Sequence, residues 1–388
     1  MEFKISDKMR NMKPSIIREI LKQMSDPTLI SFAGGNPAAD SFPAEDIARF
    51  SDELLRQDPV AALQYSVSEG VPSVREAVRA FANRRERVAK ENDGVLITSG
   101  SQQILDFAAK CLCNEGDVVA VENPAFLGAF NAFRSSGARL AGVPMEDDGV
   151  NLAALEAVFA APEKPRFFYC IPNFQNPTGK TRALPSAAAC WRWRAGTACL
   201  CWRTTPMASC ALPASECPAS KAWTTATTSF MRPAFPKFCA RACALPSAHA
   251  MKKLAKSLVV AKQGSDVHTN VWAQRVCAEL LRTMDMDAHI RAVSAMYGRK
   301  AALMAQLLQE KCPQVSFEMP QGGMFLWATL PPVVPVPEFV QACLDEKTGR
   351  HPGQRFLCGR QRALPGRAAE LFHPVRGCNM PRCGYYGP

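Results

Sequence analysis

The sequence predicts an α/β protein with a mostly parallel, doubly wound sheet, and three observations carry that prediction. Short apolar runs that read as buried strands alternate with helix-periodic segments through residues 1–180. The same alternation resumes over residues 251–347. The chain is 388 residues long with 47% hydrophobic residues, the size of a two-domain subunit and enough apolar material to exclude a disordered chain.

The elements follow in order. Pro14-Ser15 can start a helix whose apolar face is Ile16, Ile17, Ile20, Leu21 and Met24. A Gly/Pro-rich loop, Ser31-Phe32-Ala33-Gly34-Gly35-Asn36-Pro37, comes next, then a helix near Ala44–Gln57. Gln64–Gly70 is a loop leading into a helix from about Val71 to Val88. Gly94–Thr98 is a strand that runs through Ser99-Gly100-Ser101-Gln102-Gln103 into a helix carrying Ile104, Leu105, Phe107, Ala108 and Leu112. Asp117–Val121 is a strand with a helix after Pro124, and Arg139–Val143 and Arg166–Ile171 are two further strands. Helices are expected over Met251–Gln263, Val271–Thr283, Asp287–Lys311 and Pro337–Lys347, with strands at Val315–Glu318 and Met324–Thr329 around Gly322-Gly323.

Two blocks do not join this pattern. Residues 181–250 carry a net charge of +7 and residues 348–388 a net +6, whereas the other 277 residues carry −2. Seven of the 16 cysteines and four of the six tryptophans lie in the first block, three cysteines in the second. Neither block sustains a period of two or 3.6, so no secondary structure is expected in either. Their arginines are scattered among Ala, Cys and Pro, as in Cys190–Ala195, without the spacing or aromatic interleaving of a nucleic-acid surface. No nucleic-acid partner is expected. Cys111-Leu112-Cys113 and the Cys199/Cys201 pair are one residue too tight for a zinc knuckle, and nothing suggests a disulfide framework. No apolar run reaches the roughly 18 residues of a membrane span, and Met1-Glu2-Phe3-Lys4 is charged where a signal peptide is apolar, so a cytoplasmic protein without a membrane partner is expected.

Three places hold candidate chemistry. Ser99-Gly100-Ser101-Gln102, ending a strand and opening a helix, offers free N–H groups and hydroxyls to an anion; an ordinary N-capped helix is the alternative. Asn173-Phe174-Gln175-Asn176-Pro177-Thr178-Gly179 follows a buried strand at the carboxyl edge where open α/β sheets bind ligands, although it also suits a plain turn. Phe126, in Glu122-Asn123-Pro124-Ala125-Phe126, is either core or a flat face for a ring to stack on.

Taken jointly with Gln64-Tyr65-Ser66 and Pro320–Trp327, these motifs resemble the class I/II aminotransferases of the fold-type I pyridoxal-phosphate enzymes. Gly34-Gly35-Asn36-Pro37 with Ser41-Phe42-Pro43 places the resemblance nearest the 2-aminoadipate/kynurenine branch, and it covers residues 1–180 and 251–347. It implies a three-layer large domain over 46–285 and a smaller α+β domain from 1–45 and 286–388. It implies pyridoxal 5'-phosphate as cofactor and a ping-pong Schiff-base transfer from an amino acid to a 2-oxo acid, 2-oxoglutarate being the expected acceptor. Ser101 and Gln102 would hold the cofactor phosphate, Phe126 would stack on the pyridine ring where the family usually has Tyr, and Asn176 would hydrogen-bond the ring oxygen. Gly35, with Asn176, would lie beside the substrate, and Tyr65 would reach the phosphate in a partner subunit's site, making the active unit a homodimer. A C–S β-lyase on the same scaffold is one alternative. A ligand-sensing domain of a regulator is another, for which residues 1–30 leave no room for a winged helix.

Three groups that the resemblance calls for have no motif here: the Schiff-base lysine, the aspartate that keeps the ring nitrogen protonated, and the arginine that pairs with the substrate carboxylate. In the family the first two fall in the segment corresponding to 181–250 and the third near the C-terminus, the two anomalous blocks. Back-translated with free synonymous choice and read from the third codon base, Cys201–Leu212 admits LEDDPYGELRF and Phe230–Ala242 admits YAASFSKILCPG; from the second base, Arg367–Arg376 admits VRLNFSTPS. These are the family's three missing motifs in order, so both blocks read as frame-shifted. In the chain as written, the aspartate motif is replaced across Arg203–Met207 and the arginine position falls at Ala368-Ala369. Lys237 overlaps the shifted lysine codon and is the remaining catalytic candidate, a solvated lysine being the alternative. Impaired activity and poor folding of the large domain are expected.

Overall fold

In the computed structural model the described residues are 3–10, 29–32, 37–86, 93–181, 200–203, 247–335, 338–339, 355–357, 359–360 and 370–372. The predicted helix near 16–24, all but residues 338–339 of the one predicted over 337–347, the Gly34-Gly35-Asn36 loop and Lys237 lie outside them.

Strand propensity and burial build the central sheet first. Strands β1 (Leu29–Ser31), β2 (Asp93–Ile97), β3 (Val118–Asn123), β4 (Arg139–Glu146), β5 (Gly149–Val150), β6 (Phe167–Cys170), β7 (Leu200–Arg203) and β8 (Ser247–Met251) come in chain order. Five of them form one sheet in the order β5-β4-β3-β6-β7, parallel across β4, β3, β6 and β7. Side chains alternate across it with period two: Val119, Val121, Phe167 and Tyr169 enter one apolar cluster, and Ala120, Phe168 and Cys170 enter another. Both faces are therefore covered, which is why these strands read as continuous apolar runs.

The helices are α1 (Ala44–Gln57), α2 (Pro59–Leu63), α3 (Pro72–Glu86), α4 (Ser101–Leu112), α5 (Leu127–Ser135), α6 (Leu152–Ala160), α7 (Lys252–Gln263), α8 (Val271–Thr283) and α9 (Met286–Lys311). α4, α5 and α7 cover one face of the sheet and α6 the other. Phe133 of α5 illustrates the packing, its ring standing edge-on to Phe167 at 5.3 Å and to Tyr169 at 5.5 Å. Helix starts follow the sequence signals: Asn151, Asn270 and Asp285 each accept a hydrogen bond from the backbone N–H three residues on, at 2.7–2.9 Å.

A second core joins α1, α3, α8 and α9 to Phe174, Met324 and Phe325. Beyond it lies a smaller antiparallel sheet in the order β12 (Gly359–Arg360), β13 (Glu370–Phe372), β10 (Leu326–Thr329), β9 (Ser316–Phe317), while β11 (Arg355–Leu357) runs parallel to β1 in a separate pair.

The sheet is mostly parallel, as expected; β4 pairs antiparallel with β5 at its edge, and β2 pairs antiparallel with β8 in a separate two-stranded sheet. One expectation is corrected. The anomalous blocks do contain strands: β7, most of β8, and β11, β12 and β13. The reason is that ladder bonds use main-chain groups, so a strand beside a formed neighbour needs no pattern of its own beyond the absence of proline. Helix α6 went unread because its residues, Leu152-Ala153-Ala154-Leu155-Glu156-Ala157-Val158-Phe159-Ala160, are apolar nearly all round and give little periodicity.

Candidate active site

The carboxyl ends of β2, β3 and β6 deliver three loops to one region. The β2–α4 turn is Ser99-Gly100-Ser101, and Gly100 takes φ +91°, left-handed backbone that a side chain would strain. A Cβ built on Gly100 meets nothing within 4 Å, so the turn is open on that side. The N-cap residue Gly100 has no side chain to cap α4, while Gln103 Oε1 accepts from the Ser99 N–H at 2.9 Å, and the first N–H groups of the helix itself stay available to an anion. Ser101 is half-buried at the first helical position.

Gln102 is exposed, and its Nε2 donates to the carbonyl of Gly128 at 2.7 Å, tying the start of α4 to the start of α5. Phe126 is half-buried against the apolar cluster below it. A Cβ on Gly128 would stand 2.5 Å from Cε1 and Cζ of Phe126 and from Oε1 of Gln102, so only glycine leaves room for that ring.

The β6 loop carries Asn176, whose Oδ1 is buried and has no hydrogen-bond partner. A buried orphan of this kind costs about 1–3 kcal/mol and calls for a ligand or another explanation. The loop is fastened by Gln175 and by the chain near Gly323. Gly323 has φ +84°, and a Cβ there would meet Phe174 Cβ at 2.6 Å. Phe174 is itself buried at φ +48°. Tyr65 stands apart on the loop after α2, 80% exposed, its ring edge-on to His268 at 5.4 Å. The structure ties Gln102, next to Ser101, to the helix that Phe126 opens, joins the loop of Asn176 to the Phe126 loop through Gln175 and Pro124, and leaves Tyr65 outward.

Two clusters had no role assigned from the sequence. Glu122, fully buried near the end of β3, accepts from the N–H of Ile171 at 3.0 Å and from Gln175 Nε2 at 3.3 Å. A carboxylate closing an otherwise apolar strand was the available signal. Behind the Ser99–Ser101 turn, the fully buried Lys262 donates to Asp266 at 2.6 and 2.8 Å, to Thr269 Oγ1 at 3.0 Å and to Gln103 Oε1 at 3.4 Å. Asp266 also accepts from Gln103 Nε2 at 2.9 Å and Ser99 Oγ at 3.2 Å. Burial pushes the Lys262 pKa down despite the pairing. Burial alone would raise Asp266, but hydrogen bonds from Gln103, Lys262 and Ser99 outweigh it and hold the carboxyl below its usual range. Burial, with Asp117 adding, pushes the Cys113 thiol up to about 11, and burial also raises Cys111, so neither of these two is a ready nucleophile. Among the described residues no group of three His, Cys, Asp or Glu could hold a metal, and no helix is long and apolar enough to cross a membrane.

The family model described as aminotransferase class I and II matches residues 27–186. The 2-aminoadipate transaminase of Thermus thermophilus is 35% identical over 349 residues, 88% of this chain and 85% of that protein. The chain belongs to this aminotransferase family. Two solved aminotransferases share its fold. A Pyrococcus horikoshii kynurenine aminotransferase in complex with PMP has a TM-score of 0.86 at 25% identity, over 95% of this chain and 92% of that one. An alpha-aminoadipate aminotransferase from Thermus thermophilus, complexed with N-(5'-phosphopyridoxyl)-L-leucine, has a TM-score of 0.82 at 29% identity over the same shares. The aminotransferase is pyridoxal-phosphate-dependent and acts on amino acids and 2-oxo acids. Its open Gly100 turn and the start of α4 fit a phosphate, and the Asn176 carboxamide, with Oδ1 unpartnered, fits a ring oxygen when the amide is turned to present its N–H.

Proposed function

We propose that the chain is built to transaminate an amino acid, of the 2-aminoadipate or kynurenine kind named for its relatives, with 2-oxoglutarate as acceptor. The observation that carries the reading is that an open anion turn at the start of α4 is tied to the start of the Phe126 helix, with an unsatisfied buried amide on the loop after β6. Ser101 and the backbone at the start of α4 hold the phosphate, with the helix dipole favouring its charge. Gln102 supports that turn through Gly128. Phe126 offers its ring face to the pyridine, and Asn176 gives its amide to the ring oxygen. Gly35 lies beside the substrate carboxylate and Lys237 is the amine that moves the proton. Pyridoxal phosphate, when bound, supplies an aldehyde to receive the amino group and a ring to withdraw electrons from the substrate's α-carbon.

The active unit is a homodimer in which Tyr65 serves the partner's site. This is supported by an exposed apolar strip of Val60 (69%), Leu63 (73%), Tyr65 (80%) and Val67 (49%), more than a monomer ordinarily leaves in water at one place. The large domain spans 46–285 and the small one 1–45 with 286–388. Both anomalous blocks are frame-shifted, so turnover by the chain as written is impaired while the phosphate and ring contacts outside them remain.

The test is glutamate formation from 2-oxoglutarate with L-2-aminoadipate or L-kynurenine. A chain restored to the family's frame in both blocks forms glutamate and turns yellow with pyridoxal phosphate; the chain as written binds the cofactor with far lower turnover. A restored, folded protein indifferent to the cofactor would sink the reading. Reading the coding nucleotides in three frames tests the shifts directly.

A further inference from the structure

In the cofactor site proposed above, the Phe126 loop and the Asn176 loop would both meet one ring, so their spacing would have to be fixed by something. The β3–β6 ladder cannot do it, because its pairing ends at Val121 opposite Tyr169, short of both loops. Beyond that point side chains take over. Glu122 continues the link by accepting from Ile171 N–H at 3.0 Å. Gln175 then uses both ends of its carboxamide. Its Nε2 donates to the carbonyl of Pro124 at 2.7 Å, two residues before Phe126, and to Glu122 at 3.3 Å. Its Oε1 accepts from the backbone N–H and the hydroxyl of Thr178, both at 2.9 Å, across the turn that displays Asn176. Gln175 and Glu122 are 1% and 0% exposed, so water does not compete for these bonds.

We propose that Gln175, anchored by the Glu122 carboxylate, is a positioning residue that holds the Phe126 face and the Asn176 amide at the separation a pyridine ring needs. It touches neither ring nor phosphate itself. The inference rests on the cofactor site proposed above and adds the part that sets its width. A carboxamide is the one group that suits the place, since it must donate toward Pro124 and Glu122 while accepting from Thr178. Glutamate there would keep the Thr178 contacts but set a carboxylate against Glu122 and against the Pro124 carbonyl. The Glu122→Gln change in the same chain would return a donor between the two positions while keeping an acceptor for Ile171.

Because Gln175 acts on the ring side alone, it should separate ring binding from phosphate binding. Pyridoxamine 5'-phosphate, which needs no lysine to bind, is titrated into the whole chain, and inorganic phosphate is titrated separately by calorimetry. For Gln175→Glu the dissociation constant for pyridoxamine phosphate is expected to rise about tenfold or more, with that for inorganic phosphate unchanged within about twofold. The double variant Glu122→Gln/Gln175→Glu is expected to recover part of the lost affinity. Equal weakening of both ligands with a lowered urea midpoint marks a general structural role and overturns the inference. Pyridoxamine phosphate binding within about twofold of the unaltered chain overturns it as well. An unaltered chain that binds phosphate and not pyridoxamine phosphate, or neither, overturns the cofactor reading and this inference with it.

Discussion

Replacing Lys262 by methionine removes the ammonium group and keeps most of the side-chain volume, so the effect is electrostatic rather than a cavity. The lost contacts are the two short bonds to Asp266, the bond to Thr269 Oγ1 and the longer one to Gln103. Taking one partner from a buried ion pair costs about 3–5 kcal/mol, chiefly because the remaining charge is stranded. Two features of this site lower the figure. Asp266 keeps its donors Gln103 Nε2 and Ser99 Oγ, and its side chain is 26% exposed, so water screens part of the charge. A loss of about 2 kcal/mol is expected. With a urea slope of about 2–3 kcal/mol per molar, the midpoint should fall by nearly 1 M. Adding Asp266→Asn removes the stranded charge, so the double variant should be more stable than the two single losses sum to, by about 1 kcal/mol. Urea unfolding followed by circular dichroism reads all four proteins. Strict additivity, or a Lys262→Met loss below about 0.5 kcal/mol, would refute the claim that this pair braces the turn.

Three further outcomes follow from other sites. Gly128→Ala should leave folding stability within about 1 kcal/mol, helix propensity offsetting the crowding, while pyridoxamine phosphate binding weakens several-fold as the Phe126 ring is displaced; ligand titration beside urea unfolding separates the two. Phe133→Ala, emptying a fully buried ring site against Phe167 and Tyr169, should cost about 3–5 kcal/mol in the same unfolding assay. Asp266 has a depressed folded-state pKa, so its contribution is present above the ordinary carboxylate range near 3.8 and is lost as pH falls through the depressed value. The urea midpoint should therefore drop on acidification below pH of about 4, and by less in Asp266→Asn.

Much of the fold was legible because the signals were local. Ala44–Gln57 and Val271–Thr283 form with the bounds their periodicity implies, and β2, β3, β4 and β6 lie within a few residues of their apolar runs. Ser101, Phe126 and Asn176 stood out because strand ends, Gly and Pro mark where a parallel sheet displays its loops. Gln175 and Lys262 were not legible for the opposite reason. Their partners Pro124, Glu122 and Gln103 are 51, 53 and 159 residues away, and no local pattern records such a distance. The direction of the Gln102 side chain, toward Gly128 across 26 residues, is of the same kind. The strands in the two basic blocks escaped notice since their order comes from the neighbours that they pair with.

The pairing of Leu200–Arg203 with Phe167–Cys170 is made of peptide groups alone, and peptide groups are the same whatever the codons say. A stretch without a side-chain pattern of its own can thus still fill a place in the architecture. Backbone pairing and side-chain chemistry are separable there: a saturation library across those four positions should show proline as the substitution that breaks the ladder itself, since it removes a main-chain donor.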